Sequence, residues 1–389
     1  MEKQKKPNIL FLSTYPPRAC GIATFTQDLF NALKETGGCE PDVVAVNDDE
    51  TYSYPPEVKF TLDQQDPNSY LETAERISAS SADLLMIEHE FGIYGGKSGE
   101  YLLKLTEHLK IPYLVTLHTV LPRPTKKQRS IIAALAEGCE KMITMSSSSV
   151  EVLQKIYDAD PEKIVVIPHG VPELTVPPRD ELKKQEGLSG RFVISTFGLL
   201  SPGKGLEYGI GAVARLVKKH PEVIYLILGQ THPVVKSRYG EQYRQNLEKK
   251  AADLGISENI RFVNRYLTKE EIIRYLTLSD IYLTPYLGKD QAVSGTLAYA
   301  AGCGRVIVST PYPYAKEMLA DGRGLLAKFR STVSLEECIL NILRHPEEKA
   351  EMEKKTLRLG KTMMWSQVAA KYLSVFRETA LQRRGEHNE

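Results

Sequence analysis

The sequence alternates short apolar, β-branched runs with longer stretches of helical periodicity, and it does so in both halves. The first half opens with NILFLS at residues 8–13. The pattern restarts with RFVISTFG at residues 191–198, after a proline-rich segment at 172–180. Apolar strands separated by helices are typical of parallel sheets that are covered on both faces. The sequence therefore predicts an α/β protein with two doubly wound, Rossmann-like domains.

The length of 389 residues agrees with two domains, because single hydrophobic cores stop growing at about 250–300 residues. We expect an N-terminal domain at residues 1–172, with about six strands, and a linker at 173–188. The C-terminal domain is expected at 189–360, and residues 361–389 follow it.

The composition excludes several classes of protein. Hydrophobic residues make up 42% and charged residues 25% of the chain, as in soluble globular proteins, and the net charge of +1 argues against a nucleic-acid partner. The five cysteines are scattered without a CxxC pair, which argues against a disulfide framework or a zinc site. No signal peptide or apolar run of membrane-spanning length is found, so we expect a cytoplasmic protein.

Two basic clusters are the exceptions to this balanced charge, at residues 3–6 and 123–129. We interpret both as solvated loops; the alternative is a surface for anionic lipid or substrate, and hence at most peripheral membrane contact.

The stretch at residues 287–310 predicts an anion site. The turn Ser294-Gly295-Thr296 lies between two predicted strands and opens a helix with the sequence LAYAAG. The first N–H groups of a helix have no partner inside it, so they bind whatever anion lies above them. A phosphate is the expected ligand; an ordinary capped helix is the alternative.

Three polar segments of the first half follow predicted strands and are expected at one edge of the sheet. They are the loop with Gly21, the segment Glu88-His89-Glu90 and the strand end at His118. Because residues two apart in a strand face the same way, Glu88 and Glu90 are expected to flank one opening, with His89 turned away. A solvated strand end is the alternative.

The second half adds a cation to the predicted phosphate site. Lys204 follows Gly203 in the loop SPGKG, and Arg265 follows the predicted strand IRFVN. The dinucleotide fingerprint GxGxxG and the Walker A pattern GxxxxGK[ST] are both missing after the first strands. A lysine together with a helix N-terminus therefore predicts a nucleotide diphosphate as ligand.

Six segments in this order resemble the GT-B glycosyltransferases of family 4, a large group of retaining, nucleotide-sugar-dependent enzymes. They are TYPPRACGIATFTQDL, VTLHTV, VIPHGV, STFGLLSPGKGLE, IYLTPYLGKDQAVSGTLAYAAGCGRVIVST and SQVAAKYLSVF. The likeness covers nearly the whole chain. It implies a GT-B fold in which two Rossmann-like domains face a cleft and a C-terminal helix crosses back onto the first domain.

The resemblance is imperfect at several binding positions. Lys204 matches the lysine on the donor diphosphate, but Leu199 stands where the family has an arginine, and Arg265 is a candidate replacement. The family's EX7E glutamates correspond to Gln291 and Tyr299, which we expect to contact a sugar hydroxyl and the ribose.

In the first domain, the family's glycine pair is reduced to Gly21, because Cys20 takes the place of the first glycine.

The resemblance implies transfer of a hexose, with retention and without a metal or other cofactor, from a GDP-mannose or UDP-glucose type donor. Lys204 and the amides of Gly295 and Thr296 would stabilise the leaving diphosphate, and His118 would contact the hexose. The acceptor is expected to be a saccharide, free, lipid-linked or in another glycoconjugate. The alternatives are a degenerate nucleotide-sugar-binding protein and a nucleotide-sugar 2-epimerase.

The acceptor side is expected to be lined by Glu88, Glu90 and Tyr94, because carboxylates bind sugar hydroxyls. Of these, Glu90 is also a candidate catalytic residue, together with His118 and Lys204.

Overall fold

The computed structural model describes residues 6–386 and divides them into two compact units. The first unit runs to Gly170 and is completed by the residues from Trp365 onwards. The second unit is Val171–Met364.

The first unit contains a parallel sheet of seven strands. The strands are β1 (Asn8–Ser13), β2 (Glu40–Asn47), β3 (Val58–Asp63), β4 (Leu84–His89), β5 (Tyr113–Leu117), β6 (Lys141–Thr144) and β7 (Ile164–Val166). Their order in the sheet is β3-β2-β1-β4-β5-β6-β7. The order reverses between β1 and β4, and in such sheets ligands bind beyond the carboxyl ends of the strands at this reversal.

The second unit repeats this arrangement with six parallel strands. They are β8 (Phe192–Phe197), β9 (Val223–Leu228), β10 (Ile260–Val263), β11 (Ile281–Thr284), β12 (Val306–Ser309) and β13 (Gly324–Leu326). The order is β10-β9-β8-β11-β12-β13, with the reversal between β8 and β11. The prediction of two Rossmann-like sheets is confirmed.

Helices connect the strands in both units. Among the described residues they are α1 (Gly21–Thr36), α2 (Pro67–Ser78), α3 (Tyr101–Thr106), α4 (Lys126–Gly138), α5 (Ser148–Tyr157), α6 (Arg179–Gln185), α7 (Leu206–Leu216), α8 (Pro233–Tyr239), α9 (Gln242–Asp253), α10 (Lys269–Leu278), α11 (Gly295–Gly302), α12 (Pro313–Met318), α13 (Thr332–Arg344), α14 (Pro346–Lys361) and α15 (Trp365–Glu386).

The expected count of about six strands in the first half is one too low. The missing strand is β3, at the edge of the sheet, where only Leu62 is buried. An edge strand with one buried side chain has too little apolar pattern to be recognised from sequence.

The sequence pattern also predicts helices at residues 98–110 and 237–253, and the structure shortens the first and divides the second. The helix expected at 98–110 begins only at Tyr101, because Gly96 and Ser98 have left-handed φ values of 77° and 59°. The helix expected at 237–253 divides into α8 and α9 at Gly240, whose φ is 59°. A backbone with positive φ does not continue a right-handed helix.

Helix α15 completes the core of the first unit. The ring of Phe376 packs edge-on against Phe11 of β1 at 6.4 Å, and the hydroxyl groups of Tyr372 and Thr116 are hydrogen-bonded at 3.0 Å. A Cβ atom on Gly38 would lie 2.3 Å from Leu373 Cδ2. The first unit is therefore built from two distant segments of the chain.

An ion-pair cluster fastens α6 and α14 to the sheet of the second unit. The carboxylate of Asp280, just before β11, accepts hydrogen bonds from Lys183 at 2.6 Å, from Lys349 at 2.9 Å and from the Val193 amide at 2.8 Å. Leu182 is buried in the same unit. The segment 173–188 thus contributes a helix and core residues to the second unit.

Candidate functional site

The site in the second unit lies where the strand order reverses. Strands β8 and β11 are neighbours in the sheet, so the loop that follows β8 and the loop that follows β11 meet at one edge. The first loop carries Lys204 and the second leads to Ser294 at the start of α11. The topology therefore brings the predicted cation to the predicted helix N-terminus.

Two close backbone approaches hold these loops together. The Leu287 amide donates to the Gly203 carbonyl at 2.9 Å. Gly205, with φ of 62°, ends the turn Pro202–Lys204, and a Cβ atom on it would lie 2.2 Å from the Pro285 carbonyl oxygen. Only glycine adopts this conformation and spacing without strain. The position of Lys204 thus depends on the loop after β11.

Polar side chains converge between the two loops. Lys204 Nζ donates to Tyr286 Oη at 2.7 Å, and Tyr286 Oη lies 2.8 Å from Thr296 Oγ1. Ser294 caps α11 by accepting from the Leu297 amide at 3.3 Å, and its Oγ lies 3.2 Å from Thr296 Oγ1. A Cβ atom on Gly198 would lie 3.3 Å from Thr296 Cγ2. An ammonium group, hydroxyl groups and a helix N-terminus therefore form one cradle suited to an anion.

The two positions matching EX7E differ in their surroundings. The Gln291 side-chain amide donates to the Val293 carbonyl at 3.0 Å, within its own turn. Tyr299 is buried in α11, and its ring centroid lies 6.0 Å from that of Phe197. The Gln291 amide group therefore already donates one hydrogen bond within its own turn. The Tyr299 side chain is buried, which does not fit the expected contact with a ribose in this conformation.

Arg265 does not supply a free second cation. Its guanidinium binds Glu271 through two hydrogen bonds, of 2.9 and 2.5 Å. The Arg265 bond and the Thr268 amide lower the pKa of Glu271 to about 2, so the carboxylate stays charged. Because Glu271 compensates its charge, the expectation that Arg265 replaces the missing arginine is revised.

In the first unit, a buried carboxylate holds His118. Glu88 is the fifth residue of β4 and has no exposed surface, and its Oε2 lies 2.7 Å from Nε2 of His118. The other carboxylate oxygen, Oε1, has no hydrogen-bond partner among the described residues. Burial raises the pKa of Glu88, and the His118 hydrogen bond opposes that shift. The expected acceptor-side role of Glu88 does not fit this burial, because its carboxylate lies inside the fold against His118.

Glu90 and Tyr94 have unequal access to the edge of the sheet. Glu90 is half-buried, accepts from Thr119 Oγ1 at 2.5 Å and binds the Phe91 amide at 2.9 Å. Tyr94 is buried, with its hydroxyl 2.9 Å from the Glu88 carbonyl. Glu90 therefore remains a candidate for binding hydroxyl groups, whereas Tyr94 serves the fold.

His89 and Gly21 complete the placement of the residues predicted in the first unit. His89 is fully buried beside Tyr94, which agrees with its expected orientation away from the edge. Gly21 is exposed at the first turn of α1, and a Cβ atom there would meet nothing within 4 Å.

Phe25 of α1 packs against His118, and it also contacts rings from α15 and from the segment before Gly170. Phe25 lies edge-on to His118 at 4.8 Å, to His169 at 5.2 Å and to Trp365 at 5.2 Å. Burial lowers the pKa of His169 to about 4, so this imidazole is neutral at pH 7. Phe25 thus joins His118, His169 and Trp365 in one aromatic cluster.

Sequence reasoning missed Tyr286, Thr119 and Phe25. Tyr286 lies two residues after the end of β11 and Thr119 lies two residues after the end of β5, so both stand at carboxyl ends of strands, where polar residues line sites. Phe25 lies on an apolar helix face and carries no such signal.

Two features are absent from the described part of the chain. No cluster of three or more His, Cys, Asp or Glu residues within 6–386 is placed to hold a metal ion. None of the helices described there combines the length and apolar character needed to cross a membrane.

Two Rossmann-like units with parallel sheets are the architecture of the GT-B glycosyltransferases. The chain matches the family model "Glycosyltransferase Family 4" over residues 19–173 and "Glycosyl transferases group 1" over residues 178–358. It belongs to the GT-B glycosyltransferases of family 4.

Curated relatives are distant. A D-inositol 3-phosphate glycosyltransferase from Stackebrandtia nassauensis is 24% identical over 307 residues, covering 74% of this chain and 67% of the relative. A GDP-mannose-dependent alpha-(1-6)-phosphatidylinositol monomannoside mannosyltransferase from Mycolicibacterium smegmatis is 26% identical over 180 residues, covering 45% and 44%.

Among solved structures, Anabaena HepE in complex with UDP superposes with a TM-score of 0.75 at 16% identity, covering 95% of this chain and all of HepE. HepE in complex with UDP-glucose gives a TM-score of 0.71 at 17% identity, with 95% and 99% coverage. These likenesses support the fold.

Proposed function

We propose that this chain transfers a hexose from a nucleotide-diphosphate sugar to a saccharide or glycoconjugate acceptor, with retention of configuration. The observation that carries the proposal is the cradle of Lys204, Ser294 and Thr296 at the reversal between β8 and β11. A donor diphosphate gains negative charge as its bond to the sugar breaks. An ammonium group and helix N–H groups stabilise that charge most where it develops, which is what lowers the barrier.

The charge that develops on the diphosphate is met by this chain's own groups, so we propose transfer without a metal or other cofactor. Lys204 and the first amides of α11 at Gly295 and Thr296 supply the positive electrostatic field. The leaving phosphate accepts the acceptor's proton on the face where the new bond forms, which retains the configuration. Positioning of the acceptor then contributes the rest of the rate.

In the first unit, we assign the contact with the hexose to His118 and the binding of acceptor hydroxyl groups to Glu90. The Glu90 carboxylate already accepts a hydrogen bond from the Thr119 hydroxyl, which is the type of contact that a sugar hydroxyl would make. Glu88 fixes the imidazole of His118 from inside the fold.

The donor is proposed to be GDP-mannose or UDP-glucose. The Mycolicibacterium relative is named as GDP-mannose-dependent, and HepE is solved with UDP-glucose. A thermal-shift series with GDP-mannose, UDP-glucose, GDP and UDP separates these donors. Stabilisation by one nucleotide series alone identifies the base, whereas no shift with any of them contradicts the proposal.

The decisive experiment replaces Lys204. We expect K204A to lower kcat/KM for transfer about 100-fold, because a charged hydrogen bond to the leaving group is lost. K219A, an exposed lysine beyond the end of α7, is the matched control and should leave the rate unchanged. A loss below threefold in K204A contradicts the assignment. NMR coupling constants of the product's anomeric carbon test retention.

Gln291 and Tyr299 support a second candidate, a nucleotide-sugar-binding protein without turnover. Neither position carries the carboxylate expected from the family, and the Tyr299 side chain is buried. This candidate predicts binding of a nucleotide sugar by calorimetry with no product for any acceptor. NMR of the donor incubated alone detects 2-epimerisation, the remaining alternative.

We also propose a cytoplasmic location. All five cysteines are free thiols in the structure, which supports a reducing compartment.

A further inference from the structure

The hydroxyl of Tyr286 stands between the two halves of the proposed diphosphate site. Its oxygen accepts from Lys204 Nζ at 2.7 Å and lies 2.8 Å from Thr296 Oγ1. Lys204 lies on the loop after β8 and Thr296 in the first turn of α11. Tyr286 is therefore the side chain that connects the cation to the helix N-terminus.

Hydrogen-bond chemistry fixes the direction of the first contact. An ammonium group only donates, so the Tyr286 oxygen accepts from Lys204. Either hydroxyl group can donate in the contact between Tyr286 and Thr296, and in the contact between Thr296 and Ser294 at 3.2 Å. The ammonium group has three N–H bonds, and Tyr286 uses one of them. Two remain for phosphate oxygens without breaking the contact with Tyr286.

The Tyr286 ring is held rigidly. It is buried and stacks on Tyr312 with centroids 5.8 Å apart and an interplanar angle of 12°. Its backbone carbonyl accepts from Thr310 Oγ1 at 2.6 Å. Lys204 Nζ also lies 4.1 Å from the Tyr286 ring centroid, within cation–π range. The flexible Lys204 side chain is thus bound to a buried ring that is itself packed and hydrogen-bonded.

We propose that Tyr286 is a positioning residue for the nucleoside diphosphate: it holds the Lys204 ammonium and the Thr296 hydroxyl at the spacing that the two phosphates require. The inference rests on the proposed function and adds a residue and a role to it. Because the lysine is ordered before the ligand arrives, less side-chain freedom is lost on binding, and the diphosphate binds more tightly.

The test measures binding of UDP and GDP by calorimetry to the full chain and to Y286F. Loss of the phenol is expected to weaken binding of whichever diphosphate binds by about tenfold, the size of one polar contact. Y239F is the matched control: this tyrosine at the end of α8 is 64% exposed. It should bind the diphosphate within twofold of the unaltered chain.

A double-mutant cycle separates positioning from a merely structural role. If Tyr286 acts through Lys204, Y286F should cost less than twofold in the K204A background. An equal loss in both backgrounds, or tight binding by Y286F alone, overturns the inference. Absence of UDP and GDP binding by the unaltered chain contradicts the proposed function, and the role of Tyr286 with it. Circular dichroism of each variant identifies any loss that comes from unfolding.

Discussion

The Oε2 atom of Glu88 lies 2.7 Å from Nε2 of His118, although the two residues are 30 positions apart in the sequence. Strands β4 and β5 pair in parallel, with Glu88 opposite Thr116 and His89 opposite Leu117, so their ends meet. The carboxylate has no exposed surface. When Nε2 of His118 donates to it, the neutral imidazole carries its proton on Nε2, and Nδ1 is unprotonated. A buried acid in this position fixes the tautomer of an imidazole at the edge of the sheet.

Replacing Glu88 should therefore alter His118 before it alters the fold. In E88Q the amide oxygen still accepts from Nε2–H, whereas in E88A that bond is lost. We expect ¹⁵N NMR of labelled histidine to show the Nε2–H tautomer in the unaltered chain and E88Q and a tautomer mixture in E88A. Transfer should fall on the order of 10–100-fold in E88A because the ring is misplaced. Equal losses from E88A with and without H118A would contradict positioning through His118.

Gly205 should be the least replaceable residue of the Lys204 loop. Its φ is 62°, and an added Cβ atom meets the Pro285 carbonyl oxygen at 2.2 Å, so G205A has to displace one of the two loops. We expect destabilisation of about 1–3 kcal/mol and loss of nucleotide binding, measured by urea unfolding and calorimetry. G288A is the control, because a Cβ atom there meets nothing within 4 Å. Equal effects of the two variants would falsify this steric account.

The Asp280 cluster should make the second unit sensitive to acid. Burial opposes ionisation of Asp280, but Lys349 and Lys183 together with the Val193 amide lower its pKa below the ordinary value. A lowered folded-state pKa stabilises the fold above the unfolded value of about 3.9, and this stability is lost as pH falls towards the folded value.

We accordingly expect D280N to destabilise the second unit by about 3 kcal/mol at pH 7, because the buried Lys183 and the partly buried Lys349 lose their counter-charge. The difference from the unaltered chain should shrink near pH 3. Hydrogen exchange of β8 and β11 against pH measures this effect in the second unit. The exposed residue Asp253 provides the control D253N; a pH-independent difference in D280N would contradict the ionic origin.

The first unit should also lose stability in acid, but here the group is a histidine that is neutral in the folded state and takes up a proton on unfolding. Burial, with a smaller effect of His118, lowers the pKa of His89 to about 3. In the unfolded chain a histidine binds a proton near pH 6.5, so unfolding takes up a proton between pH 6.5 and 3. His89 alone should lower the free energy of unfolding by about 1.4 kcal/mol per pH unit in that range, and His169, whose pKa is lowered to about 4, adds to this slope above pH 4.

Fluorescence of Trp365 measures this transition, since it is the sole tryptophan of the sequence and belongs to the first unit. H89L and H89F should both reduce the pH slope by about one proton, although they differ in size and hence in midpoint. An unchanged slope in both variants would exclude His89 as the source.

Sequence reasoning recovered what depends on local pattern. The apolar run of β1 and the Ser294-Gly295-Thr296 turn were recognisable because each has a signal within a few residues. The edge strand β3 buries one side chain, and β13 is only three residues long, so neither has enough pattern to be recognised. Local signals predict elements well when those elements are long and buried.

The partners of the candidate residues were not predictable in the same way. That Glu88 contacts His118, that Arg265 is taken by Glu271 and that Tyr286 meets Lys204 all depend on side-chain placement in the folded sheets. The strand order indicates which loops meet. Whether a charged candidate residue such as Arg265 is paired with an opposite charge depends on the position of one neighbouring side chain. Residue type alone therefore did not predict the partners of Glu88 and Arg265.

Because α15 belongs to the first unit, the first unit cannot be completed until the end of synthesis. On the ribosome, the segment Trp365–Glu386 is made after the whole of Val171–Met364, yet Phe376 and Tyr372 pack against β1 and β5. Until α15 is synthesised, the face of the seven-stranded sheet that it covers stays exposed. The second unit, Val171–Met364, is complete earlier and can fold first. Nascent chains of this protein should accordingly depend on chaperones until their last helix emerges.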